Sequence, residues 1–551
     1  MPHRPDEAAM TVSYNFATAW EAIADAQPEA RALVQGPRVV TWGAFDDRAA
    51  RLAGGLLAHG VREGAKVASY LYNSNEYMEG VFATWKLRGA PVNVNYRYLE
   101  DELLYLVDNS DAEVLLFHGV LGEHVARIMD RAATVKVWVQ VDDGHPLIPG
   151  AVEYEAILAG AEPMPRVERS GDDLYLLYTG GTTGMPKGVM WRVDDLYRAL
   201  VPTILTLHGI AAPDTNEAHA GIAAQVAGTG RTPTHLPASP LMHGTGFMTS
   251  LQALTVGGAL CTLENRHFDA HEMWKAVEEV EVTQMAIVGD AFGKPMVRAL
   301  EEAEDDSSPY DLASLTMIVS SGVMWTAPVK EALMERGNFI CLDSLGSSEG
   351  AGFANQVSVK GAKATTARFS IGANTKVFKE DGTEVVPGSD EVGFLALGGP
   401  IPLGYYKDPD KSAATFREFG GARYSVPGDF AKVLTDGTIE LLGRGSVVIN
   451  TGGEKVFPEE VEEAIKLHDA VHDVLVVGIP DDRFGEAITA VVALNAGASA
   501  TEEEIGETVK ANLAGFKRPR TVVFVDQVRR GPNGKADYAW AKATAREFLG
   551  R

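Results

Sequence analysis

At 551 residues, 46% of them hydrophobic, the chain exceeds what one core can serve and is too apolar to be disordered throughout. A formal charge of −26 excludes a nucleic-acid binder, whose phosphate partner needs a basic face, and works against docking on anionic membranes. The two cysteines, Cys261 and Cys341, exclude a disulfide scaffold and fit a reducing, cytoplasmic setting.

Residues 1–7 lack the apolar core of a signal peptide, and no apolar run approaches the length of a membrane span. A cytoplasmic enzyme without an integral membrane segment is expected. Residues 45–57 place apolar side chains three and four apart, which predicts an amphipathic helix. Strands are predicted at 66–72, 112–117, 133–141 and 315–320, with a helix over 76–87. Residues 209–235 are rich in Ala, Gly, Thr and polar side chains without an apolar period, and read as a long surface loop or lid. This alternation of helix and strand signals predicts α/β layers.

The sharpest boundary lies near 443–447. Before it, the Thr435-Asp436-Gly437 turn leads into a hairpin strand. After it, Pro458 suits the first turn of a helix with Val461 and Ile465 on one face. Strands are predicted at 474–479, 487–494 and 522–525. Thr501 and Glu504 form a capping box that opens a helix presenting Ile505, Val509 and Leu513, and 531–534 reads as a turn. The expected organisation is a large multi-sheet α/β N-terminal domain, residues 1–444, and a small mobile α+β C-terminal domain, residues 445–551.

The most informative stretch is 178–189, Tyr-Thr-Gly-Gly-Thr-Thr-Gly-Met-Pro-Lys-Gly-Val, which follows a buried-strand pattern at 174–178. Its glycines allow close approach of the backbone to a ligand, and successive N–H groups in such a loop form an anion site. Thr179, Thr182 and Thr183 add hydroxyl donors and Lys187 adds a positive charge, so phosphate is the natural ligand. The spacing is not that of a Walker loop, because Gly188 and Val189 follow Lys187 where a hydroxyl residue would hold Mg²⁺.

Further segments carry chemistry in a fixed order. His243 stands between an apolar run and a glycine turn, and Ser321-Gly322-Val323 follows a strand signal. Ser344, Ser347 and Ser348 precede Glu349, a mixture of hydroxyls and carboxylate suited to phosphate and Mg²⁺. Asp429 lies on a turn where a carboxylate can accept both hydroxyls of a ribose. Gly443-Arg444 and Gly452-Gly453-Glu454-Lys455 follow, and Asn533-Gly534-Lys535 presents a lysine beside the last turn.

In this order the segments closely resemble the adenylate-forming superfamily of acyl-CoA synthetases, peptide-synthetase adenylation domains and luciferases. Residues 178–188 match the family signature Tyr-Thr-Ser-Gly-Thr-Thr-Gly-x-Pro-Lys-Gly with one change. Residues 345–349 correspond to Tyr-Gly-x-Thr-Glu, 427–429 to Thr-Gly-Asp, Gly443-Arg444 to the hinge motif, and Gly534-Lys535 to the terminal Gly-Lys. The pairing of 178–191 with 450–458 is similar to actinobacterial fatty acid and steroid-side-chain CoA ligases.

The resemblance implies two steps: a carboxylate attacks the α-phosphate of ATP, and coenzyme A then displaces AMP. It implies that Lys535 bridges the carboxylate and α-phosphate. Thr179, Gly180, Gly181, Thr182, Thr183, Gly184 and Lys187 would hold the β- and γ-phosphates. Glu349 would bind Mg²⁺ and Ser348 would meet the α-phosphate. Asp429, with Arg444 nearby, would take the ribose. Ser321, Gly322 and Val323 would flank adenine together with the 343–347 segment (Asp343, Ser344, Leu345, Gly346, Ser347), and His243 would line the acyl-carboxylate pocket. Gly180, Leu345 and Ser446 depart from the family's usual serine, aromatic residue and hinge aspartate, respectively.

The expected function is an acyl-CoA ligase for a medium- or long-chain fatty acid or a steroid side-chain acid. The alternatives are an acyl-AMP ligase loading a separate carrier protein and a non-catalytic nucleotide-binding relative. No carrier domain follows Lys535, which favours coenzyme A as acceptor. A homodimer is the family-level expectation.

Overall fold

The computed structural model describes residues 12–179, 185–444, 447–451, 454–481, 485–531 and 535–550. Among these, three sheets organise the chain. The first has eight strands and is built around the parallel set Leu174–Thr179, Ala90–Asn93, Lys66–Tyr70, Ala112–His118 and Val137–Val141. The antiparallel strand Lys187–Arg192 and the short Gly404–Tyr405 pair extend it at one edge. The second, of fifteen strands, opens at one edge with the antiparallel pair Arg38–Thr41 and Arg31–Gln35 and continues as a parallel set that includes Thr234–Pro237, Gln284–Ile287, Met317–Ser320 and Ile340–Ser347. It turns antiparallel at Gly350–Ser358 and runs on to the hairpin Asp429–Val433 with Ile439–Arg444. Parallel strands buried on both faces need near-continuous apolar sequence, which is why 174–178 and 112–117 read as they do.

Helices fill the space between these sheets. Trp20, Trp42, Phe45, Phe82 and Trp85 are fully buried in one cluster with Tyr175 and Leu177 of the first sheet and Phe353 of the second. The Phe247 ring, on helix Gly244–Thr255, stacks on Tyr175 at 4.6 Å, so this helix is seated directly against the first sheet.

The third sheet draws all five of its strands from residues 449–525 and has a core on each face. Alternation along Val471–Asp481 sends Val474 and Val476 towards Val461, Ile465, Ile505 and Val509, and Leu475, Val477 and Ile479 towards Ala541 and Ala545. Thr501 caps its helix as expected, accepting from the Glu504 N–H at 3.2 Å. The molecule is thus a mixed α/β protein with a large N-terminal domain and a smaller C-terminal one.

Sequence expectation and structure part company over 209–235. This stretch is not a structureless lid, since it contains the helix His219–Gly228 and the start of strand Thr234–Pro237. Ile222, Ala223 and Val226 are buried against the helix Phe16–Ala26. His219 is buried too, hydrogen-bonded to the Tyr197 hydroxyl at 2.9 Å and the Asn216 carbonyl at 2.7 Å. The helix was missed because only three apolar residues mark its inner face and a histidine completes it. Smaller differences are strand starts at Val137 and Met317 rather than 133 and 315.

Packing of this kind has a measurable cost when removed. Ile222→Ala is expected to destabilise the protein by about 3 kcal/mol through transfer and cavity terms, read as a lowered urea midpoint. A free lid would leave the midpoint unchanged.

Candidate active site

The glycine- and threonine-rich segment joins two antiparallel strands whose last register pair is Thr179 with Lys187. Gly180, Gly181, Thr182, Thr183 and Gly184 lie outside the described residues. The Lys187 ammonium is paired with the carboxylate of Asp408, the residue that caps helix Pro409–Thr415. This contact draws the Asp408 carboxyl below its ordinary range.

Edge strand Gly404–Tyr405 then brings a second group to the hairpin. Tyr405 pairs in register with Val189, and its hydroxyl donates to Glu349 Oε1 at 2.6 Å. Glu349 sits in the turn between strands Ile340–Ser347 and Gly350–Ser358, where Ser347 Oγ accepts its N–H at 3.2 Å. The Trp191 indole donates to the Ser348 carbonyl at 3.1 Å, fixing the same turn from the other strand of the hairpin. Lys187, Ser348 and Glu349 are therefore gathered at one place from positions more than 150 residues apart.

His243 occupies the cap position of helix Gly244–Thr255. Its residue keeps some exposed surface, but Nε2 has none and no hydrogen-bond partner, an orphaned polar atom of the kind a ligand satisfies. Burial, with the Lys535 ammonium and Arg97 adding positive potential, lowers its pKa to about 3, so the imidazole is neutral. Lys535 is an exposed residue of the small domain, yet it lies close enough to His243 to act on it electrostatically.

Ser321, Gly322 and Val323 follow strand Met317–Ser320. Gly322 has φ 91°, a backbone state that favours glycine, and its vacant Cβ position faces the Thr245 hydroxyl two residues from His243. The Cβ position of Gly346 lies between the Gly350 carbonyl at 3.7 Å and the Ser321 hydroxyl at 3.9 Å. Asp429 opens its strand opposite Arg444 in register.

Comparison with known proteins bears on this arrangement. The family model "AMP-binding enzyme" matches residues 20–406, and "AMP-binding enzyme C-terminal domain" matches 460–535. The chain belongs to the AMP-binding enzyme family. It is 43% identical over 541 residues to a 3-oxocholest-4-en-26-oate–CoA ligase of Rhodococcus rhodochrous, covering 96% of each chain. It is 40% identical to a medium/long-chain-fatty-acid–CoA/3-oxocholest-4-en-26-oate–CoA ligase of Mycobacterium tuberculosis, covering 97% of this chain and 96% of the other. Among solved structures, an anthranilate CoA ligase in complex with anthranoyl-AMP shares the fold with a TM-score of 0.84 at 20% identity, covering 98% and 99% of the two chains. ATP-bound MatB from Rhodopseudomonas palustris superposes with a TM-score of 0.79 at 22% identity, covering 97% and 99%.

Within this AMP-binding enzyme, other residues named from sequence are less simply placed. The Asp343 carboxylate is buried and turned towards the fully buried Lys330, 3.7 Å away, and burial pushes its pKa up to about 7. Ser446 and Gly534 lie outside the described residues, as does the Arg444 side chain.

Sequence reasoning also missed residues that build the site. Asn93 accepts from the Tyr178 N–H at 2.5 Å and donates to the carbonyls of Tyr178 at 2.8 Å and Met242 at 2.6 Å. It thereby ties the end of the signature strand to the residue before His243. Tyr405 and Asp408, which hold Glu349 and Lys187, were missed as well. Tyr405 stands in a Gly-Tyr-Tyr segment with nothing beside it that marks a carboxylate partner, and Asp408 has no signal of its own.

The His243 pKa yields a test with a definite sign. A folded value of about 3 against an ordinary 6.5 means that the unfolded chain takes up a proton the folded one refuses. The stabilising contribution is whole above pH 6.5 and is lost progressively as pH falls towards about 3. Between pH 7.5 and 5.5 wild type should lose about 1.4 kcal/mol more than His243→Gln, read from denaturant unfolding at both pH values. Equal losses would place the imidazole in open solvent.

Proposed function

We propose that the protein is an AMP-forming acyl-CoA ligase that activates a medium- or long-chain fatty acid or a steroid side-chain acid. ATP and the acid give an acyl adenylate and pyrophosphate; the thiol of coenzyme A then attacks the acyl carbon and AMP leaves. The observation that carries this reading is the approach of Lys535, from the small domain, to His243, whose Nε2 is enclosed and unpartnered. A cation delivered to a polar but neutral cleft suits a reaction that must bring two anions together.

The roles follow from that geometry and the motifs. The Lys535 ammonium stands between the acid's carboxylate and the α-phosphate, offsetting their repulsion as the new P–O bond forms. His243, neutral at working pH, contributes one hydrogen bond to the acyl carboxylate without altering the charge balance. The 179–187 hairpin takes the β- and γ-phosphates, with Lys187 sharing its charge between Asp408 and phosphate. Ser348 meets the α-phosphate. Asp429 takes the ribose hydroxyls with Arg444 nearby, and Ser321–Val323 and Ser344–Ser347 flank adenine.

Glu349 suits Mg²⁺. One oxygen is held by Tyr405 and the other is available, and no cluster of three or more ligating side chains occurs among the described residues. One carboxylate plus substrate phosphates is how this ion is commonly held. When bound, it would neutralise phosphate charge. Residues 1–444 form the large domain in this reading, and 445–551, with a hinge at Ser446, form the mobile one.

Pyrophosphate release across a panel of carboxylic acids, with and without coenzyme A, tests the reading. Turnover is expected with long-chain or steroid side-chain acids, and AMP release should rise with coenzyme A. Lys535→Ala should lower adenylate formation about 100-fold or more while sparing thioester formation from supplied acyl adenylate. No pyrophosphate from any acid would overturn the function. Equal loss in both steps would overturn the role of Lys535.

A further inference from the structure

The two domains meet through a contact that the proposed chemistry does not use. Lys294 lies on helix Gly289–Asp305 of the large domain, and its ammonium donates to the backbone carbonyl of His472 in the small domain at 2.9 Å. The neighbouring residue, Asp473, is bound by Arg530 through two bonds of 2.6 and 2.7 Å. Arg530 in turn starts the short loop that carries Lys535. That loop closes on itself through a bridge between Arg530 and Ala536 and a 2.8 Å bond from the Gly531 N–H to the Lys535 carbonyl. Charged, bidentate links of this kind are short and directional. A path of contacts therefore runs from helix Gly289–Asp305 of the large domain to the loop of the proposed catalytic lysine.

The start of the same helix is anchored independently. The Asp290 carboxylate accepts from the Thr326 N–H at 2.9 Å and from its hydroxyl at 3.0 Å. Lys466, at the end of the small domain's helix Pro458–Lys466, faces Asp290 together with Lys294 and, opposing them, Glu463. Lys466 is itself held by Glu463 at 2.9 Å. One helix turn thus presents a carboxylate and an ammonium to the small domain, a pattern that fixes orientation more than it adds affinity.

We propose that Lys294 is a positioning residue for the adenylate-forming step, holding the His472–Asp473–Arg530 path so that Lys535 reaches the acid and the α-phosphate. This inference rests on the ligase reading above. It requires no contact between Lys294 and any substrate, and it makes the effect of Lys294 dependent on the presence of Lys535.

The test uses the full-length enzyme. Lys294→Met keeps the length of the stem and removes the donor, whereas Lys294→Arg keeps a donor of similar reach. ATP–pyrophosphate exchange with a saturating acid is expected to fall about 10-fold in Lys294→Met and to stay within about twofold of wild type in Lys294→Arg. Thioester formation from supplied acyl adenylate should stay within about twofold in both. In the Lys535→Ala background, Lys294→Met should cost no further exchange activity, because the two act through one group. Equal loss in both half-reactions, no loss in either, or an additional loss without Lys535 would overturn the inference while leaving an active wild type as evidence for the ligase. A wild type that catalyses no exchange would overturn the ligase reading, and this inference with it.

Discussion

Three hydrogen bonds made by the buried side chain of Asn93 tie two strands of the first sheet to the loop ahead of His243. Its amide holds both backbone groups of Tyr178 and the carbonyl just before His243. Without it, the last turn of the signature strand and the loop ahead of helix Gly244–Thr255 would have unsatisfied polar groups in an apolar layer, which folded proteins avoid. The bonds set where Thr179 leaves its strand and where His243 begins its helix. Everything proposed for phosphate and carboxylate recognition depends on that fixed separation.

Around this anchor the protein manages charge economically. A chain carrying −26 is an unpromising host for ATP and an organic acid together. The site answers with lysines brought from different parts of the fold. Lys187 is held at the hairpin base by Asp408, while Lys535 arrives from a separate domain. His243 contributes polarity without charge, since burial keeps its ring neutral. Glu349 is the counterweight, steadied by the Tyr405 hydroxyl so that one oxygen stays oriented.

Much of this was legible in the sequence because the informative signals are local. Glycine spacing in 180–188, the apolar run before it and the capping box at Thr501 each depend on residues within a few positions of one another. The hairpin turn at 435–437 was legible for the same reason, with Gly437 taking the positive φ that the turn requires. What escaped is long-range. Asp408 meets Lys187 across 221 positions and Asn93 meets Met242 across 149, and neither partner has a composition that announces the other. The helix His219–Gly228 escaped for another reason, because burying a histidine against Tyr197 substitutes a polar contact for the apolar residue that periodicity looks for.

The hairpin that ends the large domain has a mechanical consequence. Asp429 and Arg444 are direct neighbours across two antiparallel strands, and a bulge beside Gly443 brings φ to 119° there. A Cβ at 443 would fall 2.2 Å from the Glu459 carboxylate, on the first turn of helix Pro458–Lys466, which would have to swing aside. A displacement of Asp429 would therefore reach Gly443 and Arg444 directly, through the pairing of the two strands. The last pair of that sheet would then shift as one piece, pivoting at a residue without a side chain.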